Sequence, residues 1–157
     1  MVKNKILSHN PEETILIAAK FARNLRAGDI VFLKGELGAG KTTFTKGLAQ
    51  ALRVKEAEVN SPTFILMNYY EGKLPIYHFD FYRINQESEL STMDLDEYIY
   101  GKGISVIEWP ERLGKLAPQE FFQVDIGHKS EYQRMFEFSA AGEGFRIRLE
   151  KMMARIK

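Results

Sequence analysis

The chain has 157 residues with 22 basic and 21 acidic side chains, so its charges nearly cancel, which argues against nucleic-acid binding driven by a basic surface alone. It contains no cysteine, which excludes disulfides, thiolate zinc sites and cysteine nucleophiles. The length fits one domain spanning residues 1–157 with one substantial core, and no repeat, low-complexity tract or Gly/Ser linker divides it.

Met1-Val2-Lys3-Asn4-Lys5 is followed by only two apolar residues, too few for a signal peptide, and no stretch approaches membrane-spanning length. The expectation is a soluble cytoplasmic protein with no membrane partner. Asn10 then reads as a helix N-cap, with Pro11 at the first helical position and Glu12 and Glu13 favouring the helix dipole. Ile17, Phe21 and Leu25, joined by Ala18 and Ala22, form one apolar face of that helix, which Gly28 ends.

Residues 29–33, Asp-Ile-Val-Phe-Leu, read as a buried strand. The strand runs into Gly35-Glu36-Leu37-Gly38-Ala39-Gly40-Lys41-Thr42, a complete phosphate-binding loop of the pattern G-x-x-x-x-G-K-[ST]. The glycines let successive backbone N–H groups turn inward around phosphate oxygens. Lys41 can reach the β- and γ-phosphates, and the Thr42 hydroxyl can ligate magnesium. Residues 43–52 read as the following helix, whose N-terminal dipole faces the phosphates. A glycine-rich turn between two core elements would not require Lys-Thr to follow at once. Strand, loop and helix in register therefore point to nucleoside triphosphate binding.

Val59-Asn60-Ser61-Pro62-Thr63 reads as a turn opening an extended run over 64–70; Glu71-Gly72-Lys73 is a second turn, and 75–82 is extended again, so a β-hairpin or two nearby strands are expected. The Thr63 hydroxyl can approach the γ-phosphate as part of a switch-like loop, or the segment is simply a proline turn before a strand. Residues 88–100 carry helical spacing, with Leu90, Met93, Leu95 and Tyr98 facing inward, and Gly101 and Gly103 break it. Residues 104–107 form a short buried strand ending on Glu108-Trp109-Pro110. Three strand-like segments follow at 121–126, 133–139 and 145–149, as an antiparallel extension of the sheet. The whole reads as an α/β, P-loop NTPase-like three-layer domain with a mixed, partly antiparallel sheet.

A phosphate loop does little chemistry without an acid near magnesium, and that acid commonly ends a hydrophobic strand beside the loop's own strand. Glu108 fits as a direct or water-mediated magnesium partner, against the plainer reading of a solvated acid at a strand end. Asp80 is the second candidate. Strand alternation puts His78, Asp80 and Tyr82 on one face and Tyr77, Phe79 and Phe81 on the other. Asp80 then either holds the metal's water shell and orients the attacking water, or belongs to a structural hydrogen-bond network. Arg83 can neutralise phosphate charge or pair with an acid. Trp109 packs near the nucleotide or a partner, or is core or rim. Lys41, Asp80 and Glu108 are the candidate catalytic residues.

Gly35 to Thr43, Ser61-Pro62-Thr63-Phe64, the run from His78 to Arg83 and Glu108-Trp109-Pro110-Glu111, taken together over about residues 8 to 112, closely resemble the TsaE (YjeE) family of small bacterial ATPases of tRNA threonylcarbamoyladenosine synthesis. The resemblance implies ATP and Mg²⁺ as cofactors. It implies a TsaB–TsaD complex as partner, with tRNA met indirectly through that complex, and ATP hydrolysis that resets the transferase between turnovers. It further implies that the backbone from Gly38 through Ala39, Gly40 and Lys41 to Thr43 holds phosphates, that Thr42 and Glu108 hold magnesium, and that Asp80 assists metal or water. Thr63 would belong to a switch-like loop, and the segment from Ser8 to Pro11 would lie near the adenine.

Three other classes are weighed. A small-molecule kinase needs an acceptor site and an arginine-rich lid; Arg112 is isolated, and Arg146, Arg148 and Arg155 sit in or after an expected strand. A GTPase needs an N-K-x-D motif, and the sole Asn-Lys, Asn4-Lys5, lies at the wrong end of the chain. An RNA-binding module predicts a basic stripe with exposed aromatics, whereas the aromatics here sit mostly in apolar strand patterns. With no second arginine clearly placed as a finger, the expected basal hydrolysis rate is low.

Overall fold

The computed structural model describes residues 4–54 and 66–156. Seven strands form one mixed sheet, ordered β1-β7-β6-β2-β5-β4-β3. The elements in chain order are β1 (Asn4–Ser8), α1 (Pro11–Ala22), β2 (Ile30–Lys34), α2 (Lys41–Ala51), β3 (Met67–Tyr70), β4 (Ile76–Asp80), α3 (Ser88–Ser91), α4 (Leu95–Ile99), β5 (Ile104–Glu108), a 3₁₀ segment (Pro110–Leu116), β6 (Phe121–His128), β7 (Arg134–Ala141) and α5 (Glu143–Ile156). The four central strands β6, β2, β5 and β4 run parallel, and β1, β7 and β3 pair antiparallel at the two flanks.

The pleat divides the core into two layers. Val31, Leu33, Val106, Phe122 and Val124 face α1, α2 and α5, in a cluster built around Phe21, Phe44, Phe136 and Phe138. Ile30, Phe32, Phe79 and Ile107 face the opposite way, against Leu90, Leu95, Ile99 and Leu113 of α3, α4 and the 3₁₀ segment. The central strands are covered on both faces, which is why 30–33 and 104–107 are unbroken apolar runs apart from Ser105. Ser105 itself is buried and donates to the Tyr98 carbonyl at 3.2 Å.

Asn10 caps α1 as its sequence requires: its Oδ1 accepts from the Glu13 N–H at 2.8 Å, and Pro11 opens the helix. The Glu13 carboxylate in turn accepts from the His9 backbone N–H at 2.8 Å, the main reason its pKa lies below the ordinary glutamate value, with the His9 ring adding to the effect. Gly47 lets α1 and α2 close on each other, because a Cβ there would meet Ala18 Cβ at 2.5 Å and the Ile15 carbonyl at 2.6 Å.

Several expectations are corrected. Residues 145–149 are not a strand but lie in α5, which buries Leu149, Met152, Met153 and Ile156 and leaves Ile147 exposed. The segment 121–126 does not join the central sheet in antiparallel fashion; β6 pairs parallel to β2, and the antiparallel pairings on that side are β6–β7 and β7–β1. The helix over 88–100 breaks into α3 and α4 because Asp94 takes φ −79°, ψ 61°, outside the helical region. β4 ends at Asp80, where the carboxylate accepts the Tyr82 N–H at 2.9 Å and turns the chain, so Tyr82 leaves the strand face that holds His78. Asn4–Ser8 supplies an edge strand that the sequence reading did not assign.

Candidate active site around the phosphate loop

The loop between β2 and α2 has the backbone that phosphate binding demands. Gly38 and Gly40 take φ +80° and +111°, left-handed values that a side chain disfavours. Gly40 is the N-cap of α2 and no side chain caps that helix, so the positive end of its dipole and its first-turn N–H groups face the loop. Thr42 and Thr43 sit half-buried in that turn. The site lies at the carboxyl ends of the parallel strands, where open α/β sheets place their ligands.

Sheet register then gathers the acids. Glu108, the last residue of β5, is the partner of Leu33 on one side and of Asp80 on the other. Both acids lie on the α2 side of the sheet and both are buried. The Lys41 ammonium donates to the Gly35 carbonyl at 2.6 Å, stands 3.9 Å from Glu108 Oε1, and lies 4.6 Å from the centroid of the Trp109 ring. A lysine only 5 % exposed is thus held by a carbonyl, an acid and an aromatic face at once.

Behind Glu108 runs a buried polar chain. His78 Nε2 lies 2.5 Å from Glu108 Oε2, Tyr70 Oη is 3.5 Å from His78 Nδ1, and Asn68 Nδ2 donates to Tyr70 Oη at 3.2 Å. A carboxylate only accepts, so Nε2 is the nitrogen that donates, toward Glu108. This fixes one carboxylate oxygen on histidine and leaves Oε1 toward Lys41.

Trp109 follows Glu108 with φ 58°, ψ 51°, a left-handed conformation that costs a bulky residue about 1–2 kcal/mol. Its Nε1 is buried and bonds to nothing among the described residues. Its ring packs 5.0 Å from that of Tyr82. A strained residue with an unpartnered donor, set against the loop lysine, marks this place as built for something besides packing.

Lys41, Asp80, Glu108 and the Gly38–Thr43 backbone therefore gather at one end of the sheet. Thr63 lies outside the described residues. The Ser8–Pro11 segment reaches the same end, because β1 pairs with β7 so that Ser8 stands opposite Arg134. Arg134 is a residue the sequence reading missed: its Nε donates to the Ala39 carbonyl at 2.9 Å from 95 positions away, and no local motif announces it. Arg148, placed earlier in a strand, lies on α5 and grips Asp29 through two bonds of 2.8 and 2.7 Å, far from the loop in role. Arg112 bonds the Ile84 carbonyl at 2.6 Å.

The site also fits a magnesium nucleotide by donor chemistry. Among the described residues no group of three or more acidic or histidine side chains could hold a metal by itself. Magnesium in phosphate-loop proteins takes one or two protein oxygens and the rest from phosphate and water, and Thr42 with Glu108 matches that requirement.

The family model described as threonylcarbamoyl adenosine biosynthesis protein TsaE matches residues 8–136. The Bacillus subtilis protein named tRNA threonylcarbamoyladenosine biosynthesis protein TsaE is 43 % identical over 144 residues, covering 91 % of this chain and 89 % of that one. The protein of the same name from Nostoc sp. is 38 % identical over 140 residues, covering 86 % and 85 %. The crystal structure of Bacillus subtilis YdiB superposes with a TM-score of 0.82 at 34 % identity, covering 99 % of this chain and 97 % of the other. The chain belongs to the TsaE family.

Proposed function

We propose that this protein is a magnesium-dependent ATPase of tRNA threonylcarbamoyladenosine synthesis, hydrolysing ATP to sustain turnover of a TsaB–TsaD transferase complex in the cytoplasm. The role in tRNA modification rests on the names of its relatives. The hydrolytic role rests on one observation above the others: the strand that feeds the phosphate loop is hydrogen-bonded directly to the strand that ends on Glu108, which puts that acid 3.9 Å from the loop lysine.

In this reading the N–H groups from Gly38 to Thr43 and the Lys41 ammonium bind the phosphates. Thr42 and Glu108 would hold the ion, whose charge would offset that developing on the phosphates. His78 keeps Glu108 in one orientation. Asp80, beside Glu108 in the register, orients the attacking water. Because the phosphoryl transition state asks for positioning and charge neutralisation more than for covalent chemistry, these few groups suffice. tRNA is met through the partner complex.

The test is ATP hydrolysis and multiple-turnover tRNA modification by the chain alone and with TsaB–TsaD. Slow hydrolysis alone and faster hydrolysis with the complex are expected. Robust hydrolysis that the complex leaves unchanged would overturn partner dependence, and absence of hydrolysis in both would overturn the ATPase reading.

A further inference from the structure

We propose that Arg134 is a positioning residue for phosphate binding, which sets the orientation of the Ala39–Gly40 peptide in the loop. The inference rests on the nucleotide-binding reading of that loop. A peptide unit is planar and trans, so its C=O and N–H point in opposite directions. Arg134 Nε holds the Ala39 carbonyl toward β7 at 2.9 Å, and the Gly40 N–H is thereby turned to the opposite side, which in the nucleotide-binding reading is the side of the phosphates.

Among the described residues no backbone hydrogen bond holds that peptide. A flip would exchange the sign of φ at residue 40, and glycine adopts either sign at little cost. The next peptide is different, because the Gly40 carbonyl is already tied to the Phe44 N–H at 2.9 Å in the first turn of α2. The orientation of the 39–40 unit therefore has to come from outside the loop.

Arg134 is built to supply it. Its Nη1 donates to the carbonyls of Ser130, Glu131 and Gln133 at 3.1, 3.1 and 2.9 Å, so the tip of the β6–β7 hairpin holds the guanidinium and aims Nε. Lysine has one compact donor head in place of this fork and cannot occupy both the hairpin carbonyls and Ala39 in the same geometry.

The experiment titrates the full-length protein with Mg-ADP and follows the Gly40 amide resonance, using wild type, Arg134→Ala and Arg134→Lys. Loss of the constraint should weaken ADP roughly tenfold, the scale of one charge-assisted hydrogen bond, and should shrink the shift of the Gly40 amide on binding. Arg134→Lys, which keeps charge and stem, should show part of both effects and decides the matter if Arg134→Ala does not fold. Affinities within about twofold of wild type in both variants would overturn the inference and leave the nucleotide reading intact. So would weakened binding with an unchanged Gly40 shift, since that pattern belongs to a hairpin that merely braces the fold. A wild-type protein that binds no ADP would overturn the reading of the loop itself, and this inference with it.

Discussion

His78 Nε2 stands 2.5 Å from Glu108 Oε2, with both side chains buried, and this contact ties the acid at the end of β5 to the neighbouring strand β4. Glu108 is also the register partner of Asp80, so the histidine sits one step behind two adjacent carboxylates and bonds only one of them. If Glu108 holds magnesium as proposed, a group that fixes it in this way should govern metal affinity or rate by about 10–100-fold.

His78→Gln should therefore raise the magnesium concentration needed for half-maximal ATP hydrolysis by about tenfold or more, while metal-free nucleotide binding changes little. A magnesium titration of the rate beside a metal-free binding isotherm checks this. Equal losses in both would mean that His78 supports the loop and not the acid.

Much of this site was legible in the sequence because its constraints are local. The phosphate loop needs glycines that take positive φ and a helix that starts at once on Lys-Thr, and both requirements are written within a few residues. Glu108 stands out because it ends an apolar run. Arg134 left no such trace, because it acts across 95 positions, and residue type alone does not announce the left-handed backbone of Trp109. α5 was misread because Phe145, Ile147 and Leu149 alternate like a strand, whereas its buried residues repeat as Leu149, Met152, Met153 and Ile156. β1 escaped because an edge strand of five residues, partly exposed, carries too little apolar pattern.

The Asp29–Arg148 pair offers a test of structure apart from chemistry. Arg148 joins α5 to the turn before β2, donating to both oxygens of Asp29 and to the Asn24 carbonyl, and stacks 5.1 Å from the Phe122 ring centroid. Asp29 is 4 % exposed, and removing its partner leaves a buried charge. Arg148→Ala should cost about 3–5 kcal/mol in urea unfolding, somewhat less if water reaches the carboxylate, and Arg148→Lys should recover only a minor part. Full stability in Arg148→Ala would show that the bidentate geometry contributes nothing.

Gly47 should resist replacement for a reason opposite to helix propensity. Alanine in a helix interior gains about 1 kcal/mol over glycine, yet here its Cβ would press on Ala18 and on the Ile15 carbonyl. Overpacking of this kind costs about 1–3 kcal/mol, so Gly47→Ala should be net neutral to destabilising and Gly47→Val clearly destabilising. Adding Ala18→Gly should relieve only part of the loss, because the carbonyl contact at 2.6 Å remains. Denaturant melts of the single and double variants decide it.

Lys41→Ala should abolish nucleotide binding and leave the fold. The partners of the lysine are the Gly35 carbonyl, Glu108 and the Trp109 ring, all of the site itself, while Phe44 and Leu48 keep α2 anchored, so the variant should fold with a lower melting temperature as the buried Glu108 loses a counter-charge. Trp109→Phe should keep a face for the ammonium and lose less than Trp109→Ala, the difference reflecting a cation–π contact of about 0.5–2 kcal/mol. Nucleotide titration beside a thermal melt separates the two effects.

Asp80→Asn and Glu108→Gln together divide the two acids by role. The Asp80 carboxylate accepts the Tyr82 N–H that turns the chain out of β4, and an asparagine oxygen can accept the same bond. Asp80→Asn therefore keeps the turn while removing the charge, so a fall in kcat with an unchanged magnesium requirement would assign Asp80 to the water. Glu108→Gln keeps an acceptor for His78 Nε2 but weakens the hold on the metal, and should raise the magnesium requirement as well as lower kcat. If instead the magnesium requirement moves in Asp80→Asn and not in Glu108→Gln, the two assignments exchange, and the neighbour in the register becomes the principal ligand.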